Sequence, residues 1–287
     1  MTTLDKSLLK VLHFVGNVKN FAKFSKKQFQ AERNFLPKKK IIKELKKIAI
    51  CLNDKKLLDI QEEMFDKVCL IICNTYERKN FDLHSGPLAD GYIVAMNLKK
   101  LGYHVFFVHN PNRETFLTDL GFFLQKSLKS LIIYYSGRAT LIPSRNVYKI
   151  SEYDRALVFD QGYIVDGELS SVLARNANHK AKIVLISDCY EGNPVWDLLS
   201  KNMENTTIPQ NIISISTDVI TEPDMKSKIH RYHGYFTYRL FKIVEDKPDL
   251  TAEELATSIN QLVKKFKQYI SIETTTKGLE RSSIFEV

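Results

Sequence analysis

Cys189 is the residue of this chain whose type and setting point most directly to covalent chemistry. It follows a short β-branched run, in the segment Ser187-Asp188-Cys189-Tyr190-Glu191-Gly192. As a thiolate it could attack a carbonyl, provided an imidazole moved protons near neutral pH. Four histidines are candidates for that base: His84 and His109 follow two earlier apolar runs, and His230 and His233 flank a loop before a helical stretch. His13, His104 and His179 read as structural. Each of these residues also has an ordinary reading, because a cysteine at a strand end is commonly a small core side chain and a lone loop histidine is commonly a surface residue. Cys69 and Cys73 share one apolar run and read as buried thiols of a reducing compartment. No cysteine pair has zinc-site spacing, no G-x-G-x-x-G follows the first strand, and no Walker lysine loop is present, so nucleotide binding has no support.

The elements that must position these residues alternate. Val68 to Cys73, Tyr103 to Val108, Leu131 to Tyr135, Ile183 to Ser187 and Ile212 to Ile215 are short β-branched runs that predict strands. Between them, Pro87 to Lys100, Arg113 to Leu128, Asp166 to Arg175 and Gly234 to Val244 have helical periodicity, and Thr251 with Glu254 forms a capping box that starts a last helix running to about Tyr269. This alternation predicts an α/β domain with a mostly parallel sheet covered on both faces, whose functional residues sit in loops at strand C-terminal ends.

The chain has 287 residues, 44% hydrophobic, enough for one large domain or two modest ones. Its net charge of +9 is unevenly placed: residues 1–60 hold 14 Lys and 1 Arg against 5 acids, and the rest holds 27 basic against 28 acidic residues. We therefore read residues 1–66 as a basic amphipathic extension and 67–287 as the α/β domain. In the extension, Leu8, Leu12, Val15, Phe21 and their neighbours recur at helical spacing from Leu4 to Phe35, Pro37 interrupts, and Ile41, Leu45 and Ile48 begin a second amphipathic stretch. A helical hairpin is the simplest arrangement. Its lysines form a solvated face or a docking face for an anionic membrane or an acidic partner. Nucleic acid is not expected, with one Arg and no reader motif. Apolar stretches are too short to span a bilayer and no signal-peptide pattern opens the chain, so the expected location is cytoplasmic.

Five segments in order resemble the caspase and metacaspase group, clan CD cysteine peptidases of the C14 type, across about residues 67–270. His84-Ser85-Gly86-Pro87-Leu88-Ala89-Asp90 is similar to the R-x-G-T-x-x-D and G-C-x-N-D segments of that group. Tyr134-Tyr135-Ser136-Gly137-Arg138 resembles Y-S-G-H-G, and Ser187 to Gly192 resembles the D-[SC]-C-H-S-G segment that holds the nucleophile. Gly162 to Asp166 and Gly234-Tyr235-Phe236-Thr237 resemble a helix approach and a late G-x-F-T helix start. The resemblance implies the caspase-hemoglobinase fold, a three-layer α/β/α sandwich, here preceded by the helical hairpin.

The sequence departs from that group at its chemistry. Arg138 stands where the resemblance places the catalytic histidine, and a guanidinium cannot act as a base near neutral pH. At the nucleophile two alignments are open. One needs no gap and matches Asp188 and Trp196-Asp197-Leu198, which puts Tyr190 at the catalytic position; the other puts Cys189 there and gives up the match at Asp188. The expectation is a pseudopeptidase that binds or regulates a protein or peptide, an active metacaspase being one such partner. The alternative is a residual cysteine endopeptidase built on Cys189 with Arg or Lys preference. The resemblance further implies that Asp90 and Asp188 hold a basic side chain, unless Arg138 neutralises them internally, and places His84 at the rim where caspases carry a substrate-binding Arg. Asp197 lies near an expected calcium-ligand position, but the expected loop from Ala139 to Tyr153 lacks the cluster of acidic oxygens that a calcium site needs, so neither a metal nor a cofactor is expected.

Overall fold

The computed structural model describes residues 37–79, 81–144, 152–190, 195–198, 208–219, 235–263 and 268–286. The stretch from Leu4 to Phe35, His13, His230 and His233 lie outside the described residues. From Pro37 onward the chain is one compact unit. Its strands are β1 (Ile50–Cys51), β2 (Lys67–Cys73), β3 (His104–His109), β4 (Ser130–Pro143), β5 (Tyr153–Phe159), β6 (Gly162–Val165), β7 (Lys182–Tyr190), β8 (Ile212–Val219) and β9 (Gln268–Thr274). Its helices are α1 (Lys38–Ile48), α2 (Gly86–Lys100), α3 (Arg113–Lys126), α4 (Asp166–Asn176), α5 (Tyr235–Asp246) and α6 (Ala252–Val263).

The main sheet runs β1-β3-β2-β4-β7-β8-β9, parallel from β1 to β8 and closed by antiparallel β9. Continuous apolar runs such as Cys69 to Cys73 and Leu131 to Tyr135 form its central strands because both faces are covered, so period-two alternation is absent from the sequence. One face packs Val68, Leu70, Leu131, Ile133 and Leu185 against Phe116, Leu120, Phe123, Leu169 and Leu173 of α3 and α4. The other carries α2, with α1 and α5 packed beside it. Gly91 permits the close approach of α2 to β2, since a β-carbon there would lie 2.5 Å from Cys73 Sγ. Local signals close the helices: the Asn112 side chain accepts from Thr115 N–H at 2.8 Å to start α3, and Thr251 and Glu254 exchange the two capping bonds at 3.1 and 3.2 Å before α6.

Three expectations need correction. Residues 38–66, grouped with the basic extension by their charge, belong to the α/β unit: α1 buries Ile41 and Leu45, and β1 adds to the edge of β3. The last helix, described over Ala252–Val263, does not run to Tyr269, which lies in β9, paired with Asp218. The segment from Ala139, expected as a loop, begins as strand: β4 runs on to Pro143 and pairs antiparallel with β5, which pairs with β6 in a small arm. Its exposed Leu141 and Tyr153 supply too little apolar pattern to announce a strand.

Candidate functional site

The chain leaves β2 to form β3 on one side and returns to form β4 on the other, so the C-terminal ends of β2 and β4 flank a topological switch point, where open α/β sheets bind ligands. The sequence-selected residues converge here. Parallel pairing of β4 with β7 sets Ser136 beside Asp188, Gly137 beside Cys189 and Arg138 beside Tyr190. Because strand residues alternate between faces, Cys189 and Arg138 belong to opposite faces of the sheet.

The face shared by Ser136 and Asp188 carries a polar row. Ser136 Oγ donates to Asp90 Oδ2 at 3.3 Å, with Asp90 buried in the first turns of α2. Asp188 Oδ2 accepts from the Thr237 hydroxyl at 2.6 Å and the Thr237 N–H at 3.3 Å, at the start of α5. Tyr134 lies between, its hydroxyl 2.5 Å from Thr237 Oγ1. Burial, then the neighbouring Asp90 and Asp188 carboxylates, push the Tyr134 hydroxyl well above its ordinary pKa, so both acids act on one spot. The structure thus brings together the two carboxylates expected to hold a cation. It adds Ser136, Tyr134 and Thr237, whose motif positions were visible but whose roles no local pattern announces.

Arg138 is held from below and from the side. Its N–H donates to Tyr76 Oη at 2.7 Å, its Nε donates to the Phe81 carbonyl at 3.1 Å, and its guanidinium lies 5.8 Å from the Phe81 ring centroid. Tyr76, in a left-handed conformation at φ 59°, and Tyr135 place their hydroxyls under Gly137, 2.9 and 2.8 Å from where a β-carbon would stand. Both hydroxyls reach the Val158 carbonyl, at 3.0 and 2.9 Å, which ties the arm to the site floor. Tyr76 and Phe81 escape sequence reasoning because their loop carries no motif.

Cys189 faces the other way. It is 4% exposed, packed in the core with Tyr135, Leu185 and Trp196, and its backbone is clasped by Thr217 Oγ1. Burial, and secondarily the Asp188 charge, push its thiol well above the ordinary value, the opposite of an activated nucleophile. The two described candidate histidines are engaged elsewhere. His84, at φ 56°, places Nδ1 3.0 Å from Asp82 Oδ2. Burial raises the Asp82 carboxyl, but hydrogen bonds from Lys38 and from the His84 N–H outweigh it and leave it below the usual range. His109 Nε2 lies 2.8 Å from Thr75 Oγ1, and burial with the nearby Lys38 charge lowers its pKa to about 4. It is neutral at physiological pH and committed to the β2 and β3 ends.

Among the described residues no group of three or more His, Cys, Asp or Glu is arranged to hold a metal ion, and no helix is long and apolar enough to cross a membrane. Asp197, at φ 23°, lies near Glu273, whose carboxyl accepts from Leu198 N–H at 3.2 Å.

Comparison with known proteins matches residues 66–280 to the family profile of the caspase domain. Among solved structures the fold is similar to protein GSU0716 of Geobacter sulfurreducens, with a TM-score of 0.58 and 13% identity, covering 76% of this chain and 97% of that one. It is also similar to the Drosophila initiator caspase Dronc, with a TM-score of 0.52 and 11% identity over 74% and 80% of the two chains. At such identities the likeness is one of fold. No curated protein matches the sequence.

Proposed function

We infer that this chain, which belongs to the caspase domain family, acts by binding a protein or peptide and not by cleaving one. The observation that carries this reading is the register of β4 and β7: Arg138 is paired with position 190, while the Cys189 thiol is buried on the opposite face. A permanently charged guanidinium cannot take a proton, and the sulfur available is neither ionised nor presented beside it. Losing members of a nucleophile and base pair that act as a unit costs about 10⁶-fold in kcat.

The recognition chemistry is a different matter. Asp90 and Asp188 lie on either side of Ser136 and suit an Arg or Lys side chain through charge-assisted hydrogen bonds, so the ligand class is a basic peptide segment. The four cysteines are free, in keeping with a reducing compartment such as the cytoplasm. The test is incubation with Arg- and Lys-directed fluorogenic peptides, with and without calcium, beside calorimetric binding of the same uncleaved peptides. Binding without turnover, weakened by Asp188→Asn, is expected. Turnover that Cys189→Ala abolishes would overturn the reading and restore the peptidase alternative.

A further inference from the structure

A second cleft lies beyond the site, between the loop that follows β2 and the β5–β6 turn. Its volume is about 290 Å³, at the lower limit of small-molecule sites, which start near 300 Å³. Three rings, Tyr76, Phe81 and Tyr163, line it together with Arg78 and Asp160. Tyr163 is exposed and Tyr76 is buried, so the lining residues range from the surface inward.

The two charges are the telling feature. Among the described residues the Arg78 guanidinium has no hydrogen-bond or ion-pair partner. The Asp160 carboxylate accepts the Glu77 N–H, at 3.1 and 3.2 Å to its two oxygens, and has no cationic partner among the described residues. Opposite charges therefore line one cleft without pairing with each other, which leaves room for a ligand carrying both signs.

We propose that this cleft binds a free aromatic α-amino acid. The ligand carboxylate meets Arg78 through the bidentate geometry that guanidinium favours, the ammonium meets Asp160, and the aromatic side chain lies against the rings. A residue inside a peptide chain offers neither charge, and a basic side chain would set a second cation against Arg78. The cleft contains neither Asp90 nor Asp188, although Tyr76 and Phe81 of its lining also hold Arg138.

The test is titration of the full-length protein with L-phenylalanine, L-phenylalaninamide and N-acetyl-L-phenylalanine, read by ligand-observed NMR. L-Phenylalanine is expected to bind with Kd of about 1 mM, and each blocked analogue about tenfold more weakly. Arg78→Gln should lower L-phenylalanine affinity to that of the amide while leaving the amide unchanged, and Asp160→Asn should do the same with respect to the acetyl analogue. Equal affinity for all three ligands, or no L-phenylalanine binding at about 10 mM, overturns the proposal. The analogue series uses the unaltered protein, so its outcome does not depend on either variant folding.

Discussion

The pairing of Arg138 with position 190 can be tested by rebuilding the missing chemistry. In the double variant Arg138→His, Tyr190→Cys, the two new side chains stand on directly paired residues of adjacent strands. Such residues are about 5 Å apart between α-carbons and share a face, so imidazole and sulfur can come within hydrogen-bond reach. With Arg138→His alone, the sulfur of Cys189 remains on the far side of the sheet, walled off by Gly137 and the Tyr135 ring. A broken dyad forfeits about 10⁶-fold, or about 8 kcal/mol of barrier. Recovery of a third of that corresponds to about 10²-fold, which fluorogenic Arg and Lys peptides detect readily. The double variant should exceed both single variants by at least this factor. If Arg138→His alone becomes active and Cys189→Ala silences it, the face assignment is wrong. A double variant that folds and binds the peptide yet turns over no faster than the single ones refutes the register assignment equally.

Other outcomes follow from single side chains. Asp119, buried on α3 with Oδ2 unpartnered, has its carboxyl raised to about 6 by desolvation. Its folded form therefore prefers the proton: the associated stability is complete below the unfolded value near 3.8 and is lost as pH rises through about 6. Asp119→Asn should stabilise the protein at pH 8, by about 1–2 kcal/mol after allowance for solvent screening, and not at pH 3.5, in paired urea titrations; equal curves at both pH values would contradict this. Native thiol labelling should modify half-buried Cys51 first and leave Cys69, Cys73 and Cys189 until denaturant is added; early labelling of Cys189 would deny its burial. Thr237→Val removes the 2.6 Å donor to Asp188 and should weaken basic-peptide binding about fivefold, with Thr237→Ser restoring it. No change on calorimetry would show that Thr237 does not position the acid.

Much of this site was legible because strand ends in a parallel sheet are marked by what precedes them. The β-branched runs before Cys73, Tyr135 and Ser187 marked the strand cores, although β4 and β7 continue past the last two, to Pro143 and Tyr190, and so take up residues expected in loops. A choice between Cys189 and Tyr190 was not legible, since it depends on which face a residue takes, and a one-residue shift reverses that. Only the pairing with β4 decides it. The β5–β6 arm and β9 were missed for another reason: they are short or half-exposed, and their partners lie far along the chain. The placement of residues 38–66 was misjudged because surface lysines dominate their composition, while the docking of α1 rests on a few side chains such as Ile41 and Leu45.

Strand β4 is continuous from Ser130 in the middle of the sheet to Pro143 at the end of the arm. One backbone therefore runs from the sheet through Arg138 into the arm, and it is tied down where the Tyr76 and Tyr135 hydroxyls donate to the Val158 carbonyl. A protein that seized the arm by Leu141 and Tyr153 would apply torque to the Arg138 peptide without touching the acidic row. Contact at a distance and occupancy at the switch point would then be read by the same backbone.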